Sequence, residues 1–452
     1  MTDKACSWNE IAGGISDNMK HPLRDMIEKR KSDKSIGIPS YCTANEMVLE
    51  TILLRAKETG EPVLIEATAN QVNQFGGYTG MKPQDFQDYI RRIAKVQGVD
   101  EKLIILGGDH LGPLTWMKDS EAVAMQKSRE LVRDYILAGF TKIHLDTSMK
   151  LADDAKDEPL SKEVIAKRGV ILYQECMKAY SQLQVIKPDA LRPVFIIGSE
   201  VPIPGGAQEA EESIEVTPVE DFLETVAVYQ KEFAKAGAAE GFADVIAVVV
   251  QPGVEFGDTQ IFAYDHEKAT NLCKSLQEVP GIVFEGHSTD YQAATDLKQM
   301  VEDGIAILKV GPALTFQLRE ALFALNFIER ELVEKEGRAN LVGVLDEVMV
   351  DNPDNWQNHY QGSKEEQALS RKYSLSDRCR YYIGDEKVKN AIEELIERLS
   401  HKEIPISLLR QFMPRESQIL LETGGKATPH RLIQMHIEQI LEEYEFATGR
   451  KA

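Results

Sequence analysis

Six short apolar runs in this chain each stop at residues able to move a proton or hold a metal ion. They are VLIEATANQ (63–71), LIILGGDH (103–110), KIHLD (142–146), VFIIGSE (194–200), VIAVVVQ (245–251) and IVFEGH (282–287). An apolar strand ending in a carboxylate, imidazole or amide is how a parallel β/α enzyme delivers its chemistry, with strand interiors in the core and C-terminal ends at the site. In the second run, Gly107 and Gly108 let backbone or ligand approach closely. Asp109 and His110 point to opposite sides of a straight strand, so a bend at the strand end is needed for one to bind a metal while the other handles a proton. Glu285 and His287 are two apart and share a face of the pleat, and His144 and Asp146 repeat the pattern. Each pair suits metal ligation or acid/base work, the alternative being a His–carboxylate hydrogen bond that stiffens the strand ends.

Other strand ends add polar groups. Glu66 closes the first of these runs and is followed by the polar loop NQVNQFGGYTG (70–80), where Asn73 is a candidate substrate contact. Glu200 precedes Gly205 and Gly206, a pair that suggests a close turn over a ligand, and Gln251 is followed past a Pro-Gly turn by Glu255. Lys309, in ILKVGPALTF, reads as a Schiff-base lysine, a phosphate contact or an ion-pair partner of Glu285. Ser288, Thr289 and Gly311 occupy the positions after the last two strands, where barrel enzymes hold phosphate on backbone N–H groups. The segment RKYSLSDRCRYY (371–382) is either a polar connection or a way to bring Arg378 or Arg380 over the site to an anion. Acids and imidazoles gathered this closely are costly to bury unless a cation or polar ligand organises them. A mixed His and carboxylate set suits Zn²⁺ first, or Mn²⁺, with an open position for substrate oxygens.

The elements that must position these residues follow from periodicity. Strands are expected at 35–45, 62–69, 103–108, 142–147, 193–199, 245–251, 281–286 and 305–310. The segments between them, such as AMQKSRELVRDYILAGF and PVEDFLETVAVYQKEFAKAG, carry apolar residues at helical spacing. Eight strands alternating with helices predict a TIM (β/α)8 barrel of the α/β class. Neither G-x-G-x-x-G nor a P-loop marks an open nucleotide-binding sheet instead. Residues 1–34 read as a leader with one short helix, 35–337 as the barrel, and 338–452 as a C-terminal helical extension entered through a long helix at 316–337.

With 452 residues, 43% hydrophobic and 28% charged, the chain can bury a large core. A net charge of −21 argues against nucleic acid as a partner, because phosphate backbones demand dense Lys and Arg. No run reaches bilayer length and the N-terminus has no apolar signal core, so a cytoplasmic protein is expected. The five cysteines are scattered and form no CxxC, which reads as reduced thiols.

Taken together, GGYTGM, GGDHLGP, KIHLD, EVPIPGG, VVQPGVEF, HSTDYQ, LKVGPALTF and YSLSDR resemble the GatZ/KbaZ family, Z-type subunits of class II tagatose-1,6-bisphosphate aldolase, from about residue 35 to the C-terminus. The resemblance implies a barrel related to zinc class II aldolases, acting on a ketohexose or ketohexose phosphate in tagatose 6-phosphate or galactitol catabolism. It implies that Asp109–His110 is the Asp–His pair giving an acid/base and a metal ligand, and that 286–289 is the phosphate loop. The metal set is then His110 and His287 with Gln251 or Glu200, since no third histidine stands on the sixth strand. Asp109 and Glu285 are the acid/base candidates with Glu66, and His144, Asp146, Lys309 and Arg378 contact substrate. Two roles are open within the family: metal-assisted retro-aldol chemistry, including 4-epimerisation of fructose and tagatose or their 6-phosphates, and non-catalytic support of a separate Y-type aldolase subunit. Either role implies a homo- or hetero-oligomer. A retro-aldol route covers aldolase and epimerase alike, because the C4 hydrogen of a 2-ketose is not acidic whereas cleavage of C3–C4 leaves an enediolate and an aldehyde that can turn and re-add.

Overall fold

The structure is a computed structural model that describes residues 21–199 and 214–450. Eight parallel strands close into a barrel in the order β1-β10-β9-β6-β5-β4-β3-β2. They are β1 (Ile38–Cys42), β2 (Val63–Thr68), β3 (Ile104–Leu111), β4 (Lys142–Leu145), β5 (Val194–Ile197), β6 (Val245–Val250), β9 (Val283–Gly286) and β10 (Ile305–Val310). The TIM-type barrel read from the periodicity is therefore the fold. A two-stranded antiparallel hairpin, β7 (Glu255–Phe256) and β8 (Ile261–Phe262), is inserted after β6.

Within the described residues, α1 (Pro22–Arg30) precedes the barrel. Its outer ring is α2 (Glu46–Thr59), α3 (Pro83–Gln97), α4 (Glu121–Leu137), α5 (Lys162–Ile186), α6 (Val219–Lys235), α7 (His266–Ser275), α8 (Ala294–Asp303) and α9 (Pro312–Leu332). The expected long helix at 316–337 starts earlier and stops earlier. Pro312 supplies a pre-set N-terminal turn, and the chain leaves the helix at Val333 in extended backbone. The extension comprises α10 (Leu341–Asp351), α11 (Lys364–Tyr373), α12 (Glu386–Ser400), α13 (Ile406–Phe412), α14 (Pro414–Thr423) and α15 (Pro429–Ala447).

The barrel interior is layered. Its lower part is apolar, built from Ile38, Leu64, Ile105, Val194, Ile196, Ala247, Val283 and Ile307. Helix α1 stoppers this end by placing Leu23, Met26 and Ile27 in the same cluster. His21 caps α1 by accepting the Leu23 N–H, and burial pushes its imidazole down to about 3, so it packs as a neutral group.

The extension is bolted to the barrel. Helix α15 packs against α8, α9 and α2. Glu445 takes a bidentate contact from Arg55, Tyr444 donates to the Thr289 carbonyl, and the Thr448 carbonyl accepts the Gly37 N–H.

Truncating Leu23, which is fully buried in the stopper, removes apolar contact at the floor while leaving the mouth untouched. Leu23→Ala is expected to cost about 2–5 kcal/mol in chemical denaturation. A loss well under 1 kcal/mol would show that α1 is not part of the cooperative core.

Candidate metal centre

Above the apolar floor the barrel interior becomes ionic. Glu66 on β2, Lys142 on β4 and Glu285 on β9 are fully buried, with Lys142 Nζ 2.7 Å from a carboxylate oxygen of each acid. Lys309 on β10 contacts Glu66 and stands 2.9 Å from Asp109. Gly107 makes this possible. It sits between Glu66 and Lys142 in the register, and a Cβ there would fall 2.3 Å from Glu66 Oε1.

On this layer stand three imidazoles. His110, His144 and His287 have ring centroids 5.0 to 5.2 Å apart. Each leans one nitrogen on a carboxylate: His110 Nδ1 on Asp146 at 2.8 Å, His144 Nδ1 on Asp109 at 2.9 Å, and His287 Nε2 on Glu285 at 3.0 Å. The opposite nitrogen of each ring is left to face something else, which is how carboxylates orient metal-ligating histidines. One ligand atom from each of Asp109, His110, His144 and His287 lies within 4.8 Å of the other three. His144 Nε2 is buried with no hydrogen-bond partner among the described residues.

The bend required at the end of β3 is present. His110 has φ 49°, in the left-handed region, and the β3–β4 register shifts between Gly108 and Leu111. That kink turns Asp109 and His110 to the same side despite their adjacency.

These residues fit a divalent cation. Asp109, Asp146, Glu66 and Glu285 are four buried carboxylates set against two buried ammonium groups, Lys142 and Lys309. With all three imidazoles neutral, as ligation requires, two negative charges are left in excess, which a divalent ion would cancel; without an ion, a proton on His110 offsets part of that excess. The same crowding shapes the protonation equilibria. Burial works against ionised Asp109, yet the His110 charge and the His144 hydrogen bond hold it well below the usual carboxylate range. Burial also draws the His110 imidazole down, but Asp109 and the hydrogen bond to Asp146 carry it above 6.5. His287 goes the other way, because burial outweighs its bond to Glu285. Burial draws the Lys309 ammonium down to about 8, so it still carries its proton at neutral pH, 2.9 Å from Asp109.

The cluster opens into a cavity of about 890 Å³ at the C-terminal ends of the strands. Asp109, His110, His287 and Lys309 line it from the barrel, and Asn355, Arg380 and Tyr381 line it from the extension. The clasp that holds the extension here is the YSLSDR stretch. Ser374 and Ser376 donate to Asp258 in the β7–β8 turn, and Asp377 takes Arg319 at 2.8 Å and Thr315 at 2.6 Å.

The sequence-derived candidates divide accordingly. Asp109, His110 and His287 meet at the cluster with His144, which supplies the third imidazole from β4 rather than the sixth strand. Gln251 turns away, its Oε1 accepting the N–H groups of Gly253 and Val254. Glu200 lies outside the described residues. Glu66 and Glu285 sit beneath the cluster, Glu66 paired with both lysines and Glu285 with Lys142 and His287, and neither lines the cavity. Asp146 backs His110. Asn73 ties its own loop, accepting from Phe75 and Gly77 and donating to Ala69. Thr289 spends its hydroxyl on the Lys309 carbonyl, and Gly311 gives its N–H to Asp290. Ser288 and Gly311 line the cavity, whereas Arg378 points its Nε at the Asn355 carbonyl and leaves the wall to Arg380. Cys42 also lines the cavity, its thiol pushed up to about 12 by burial.

Lys142 and Asp290 were not among the candidates. Lys142 carried a readable signal, since it shares strand parity with His144 and Asp146 in KIHLD and is a lysine inside an apolar run. Asp290 carried none.

Comparison with known proteins finds similarity over nearly the whole chain. The family model described as D-tagatose-1,6-bisphosphate aldolase subunit GatZ/KbaZ-like matches residues 23–449. The chain is 43% identical over 424 residues to the D-tagatose-1,6-bisphosphate aldolase subunit GatZ of Escherichia coli O1:K1 / APEC, covering 94% of this chain and 99% of that protein. It is 43% identical to the GatZ subunit of Salmonella agona (strain SL483), over 94% and 98% of the two chains. A crystal structure of a probable tagatose 6 phosphate kinase from Sinorhizobium meliloti 1021 superposes with a TM-score of 0.83 at 41% identity, covering 91% of this chain and all of that one.

Two outcomes test the ionic layer. Lys142→Met leaves Glu66 and Glu285 buried without their shared cation, and a loss of about 3–5 kcal/mol is expected in urea denaturation. Asp146 and Glu285 are each held at about 2 against ordinary values of 3.8 and 4.5. Burial opposes this, but the His110 bond to Asp146 and the Lys142 charge beside Glu285 prevail. The folded state therefore binds their protons less tightly than the unfolded chain does. Their contribution is full above about pH 5 and is lost as pH falls towards 2. Stability measured against pH should decline across that window, and a flat profile from pH 5 to 3 would contradict the assignment.

Proposed function

We propose, for a chain that belongs to the D-tagatose-1,6-bisphosphate aldolase subunit GatZ/KbaZ-like family, that it is itself a divalent-metal-dependent catalyst acting on ketohexoses or their phosphates by retro-aldol chemistry. The observation that carries this reading is the set of three imidazoles, each braced by its own carboxylate, two of which, His110 and His287, line a substrate-sized cavity with His144 buried beside them. A subunit that only supported a partner would have no use for so dense a set of buried carboxylates and imidazoles at the bottom of an open pocket.

A divalent cation held by His110, His144 and His287, Zn²⁺ first by the donor set, would supply Lewis-acid polarisation of a ketose C2 carbonyl. The protein's own residues then do the remaining work. Asp109 lines the cavity and is ionised, so it accepts the O4 hydroxyl proton as C3–C4 opens. Lys309 and the imidazoles stabilise that carboxylate, which therefore holds the proton loosely: the proton returns to O4 when C3–C4 re-forms, or goes to C3 of the enediolate when the aldehyde leaves. Release of the aldehyde is the aldolase outcome, and its rotation and re-addition is 4-epimerisation. Glu66, Lys142 and Glu285 keep Lys309 and His287 in place from below.

A second reading has one observation in its favour: the GatZ relatives are named as subunits. In that reading the chain stabilises a separate Y-type aldolase subunit in a cytoplasmic hetero-oligomer. The kinase description of the Sinorhizobium relative finds no P-loop in this sequence.

The deciding experiment is metal analysis of the isolated chain together with incubation with fructose 6-phosphate, tagatose 6-phosphate, tagatose 1,6-bisphosphate and the free ketoses. Bound Zn²⁺ or Mn²⁺ and conversion of at least one sugar are expected. Asp146→Asn should weaken metal binding about 10–100-fold while the fold persists. Absence of both metal and turnover, with activation of an added aldolase subunit, would establish the accessory role.

A further inference from the structure

Backbone N–H groups after the last two barrel strands are where a phosphate would be sought in this fold, and here several of them are already engaged. Both Gly311 and Ala313 give their N–H to Asp290 Oδ1, at 3.0 and 2.9 Å. Thr289 directs its N–H and its hydroxyl to the Lys309 carbonyl. Asp290 itself is a buried carboxylate that would repel an anion placed beside it.

Three cations line the cavity. Lys309 is tied to Glu66 and Asp109, and Lys389 is exposed at the rim. Arg380 differs from both, because it faces the cavity from the extension and forms no salt bridge with any described carboxylate, Asp290 and Asp377 interacting with it only at longer range. Its guanidinium is nevertheless held still. Nη1 donates to the Ser376 and Asp377 carbonyls, Nη2 donates to Tyr381 Oη at 2.8 Å, and Cζ lies 4.4 Å from the centroid of the Tyr381 ring. Tyr381 in turn meets Tyr78 of the β2–α3 loop edge to face, at 5.1 Å, across the seam between barrel and extension. The residues beneath Arg380 are clasped by Asp258, Thr315 and Arg319. These bonds leave Nε–H and one Nη2 hydrogen uncommitted among the described residues. That side of the guanidinium is the fork that grips phosphate with two parallel hydrogen bonds. Preorganised by carbonyls and stacking, it loses little freedom on binding.

We propose that Arg380 is the residue that reads the substrate's phosphate, so that specificity for a phosphorylated ketose is supplied by the C-terminal extension and not by the barrel loops. The inference rests on the catalytic reading for its substrate, but its anion site is testable without turnover. The cluster and the fork line one cavity from opposite structural units, so a ketose phosphate spanning them would engage its carbonyl end at the imidazoles and its phosphate at the seam.

The test is calorimetric titration of the full chain with inorganic phosphate, alongside kinetics on ketose 6-phosphates and free ketoses. Wild type is expected to bind phosphate. Arg380→Ala should weaken that binding at least tenfold, Arg380→Lys should fall between the two, and Arg378→Ala should retain it. Thermal melts of each variant separate loss of the site from loss of the fold, with Arg380→Lys as the conservative replacement if the alanine variant is unstable. In turnover, the kcat/KM preference of wild type for the phosphorylated over the free ketose should shrink at least tenfold in Arg380→Ala. Phosphate binding by a folded Arg380→Ala equal to wild type would overturn the proposal. Loss of phosphate binding in that variant, in a protein that converts no sugar, would sustain the anion site while refuting the catalytic reading.

Discussion

Everything at the mouth of this barrel depends on how it tolerates charge without water. Four carboxylates, two ammonium groups and three imidazoles are buried within a few ångströms of one another, on top of an interior that is otherwise aliphatic. Isolated burial of any one would be prohibitive, so each must be answered by another. Lys142 answers Glu66 and Glu285, Lys309 answers Glu66 and Asp109, and the carboxylates answer the histidines. With the imidazoles neutral, the pairing is complete except for two negative charges. The same constraint that makes the array expensive makes it compatible with a cation held by the imidazoles.

Packing serves that array. Gly107 is required because Glu66 and Lys142 meet across its position, and the left-handed backbone at His110 is what brings two consecutive residues to one side of a strand. At the opposite end, α1 seals the floor with Leu23, Met26 and Ile27, which keeps the lower barrel dry and the ionic layer away from bulk solvent. The extension completes the site from above. A hairpin turn, through Asp258, and the first turns of α9, through Thr315 and Arg319, grip one short segment and so place Arg380 and Tyr381 in the cavity wall. A cavity made by two structural units can set its chemistry with one and its selectivity with the other.

The strand ends were legible because parallel strands covered on both faces are continuous aliphatic runs, and the first polar residue after such a run marks the mouth. Parity within a run was equally legible, so Glu285 with His287 and His144 with Asp146 were seen as pairs. Partnership between runs was not. Glu285 and His287 do bond to each other, whereas His144 leans on Asp109 and Asp146 on His110, both across strands, and Gln251 is drawn off by the turn that follows it. Local hydrogen-bond competition decided Asn73, Thr289 and Arg378 in the same way, each satisfied by a nearby backbone group.

By itself, then, the amino-acid sequence determined the eight-stranded β/α alternation, the end of the barrel at which acids and imidazoles gather, and the residue types assembled there, because these follow from periodicity and strand parity along a single chain. Which imidazoles converge, which carboxylate braces each one, that a buried lysine ties two acids together, and that an arginine from 270 residues after Asp109 reaches the same cavity (roughly, counting along the chain to Arg380) were decided only by closure of the sheet. Barrel curvature, register shifts and one left-handed residue set those distances. All three are properties of strands acting on each other, and no strand holds them alone.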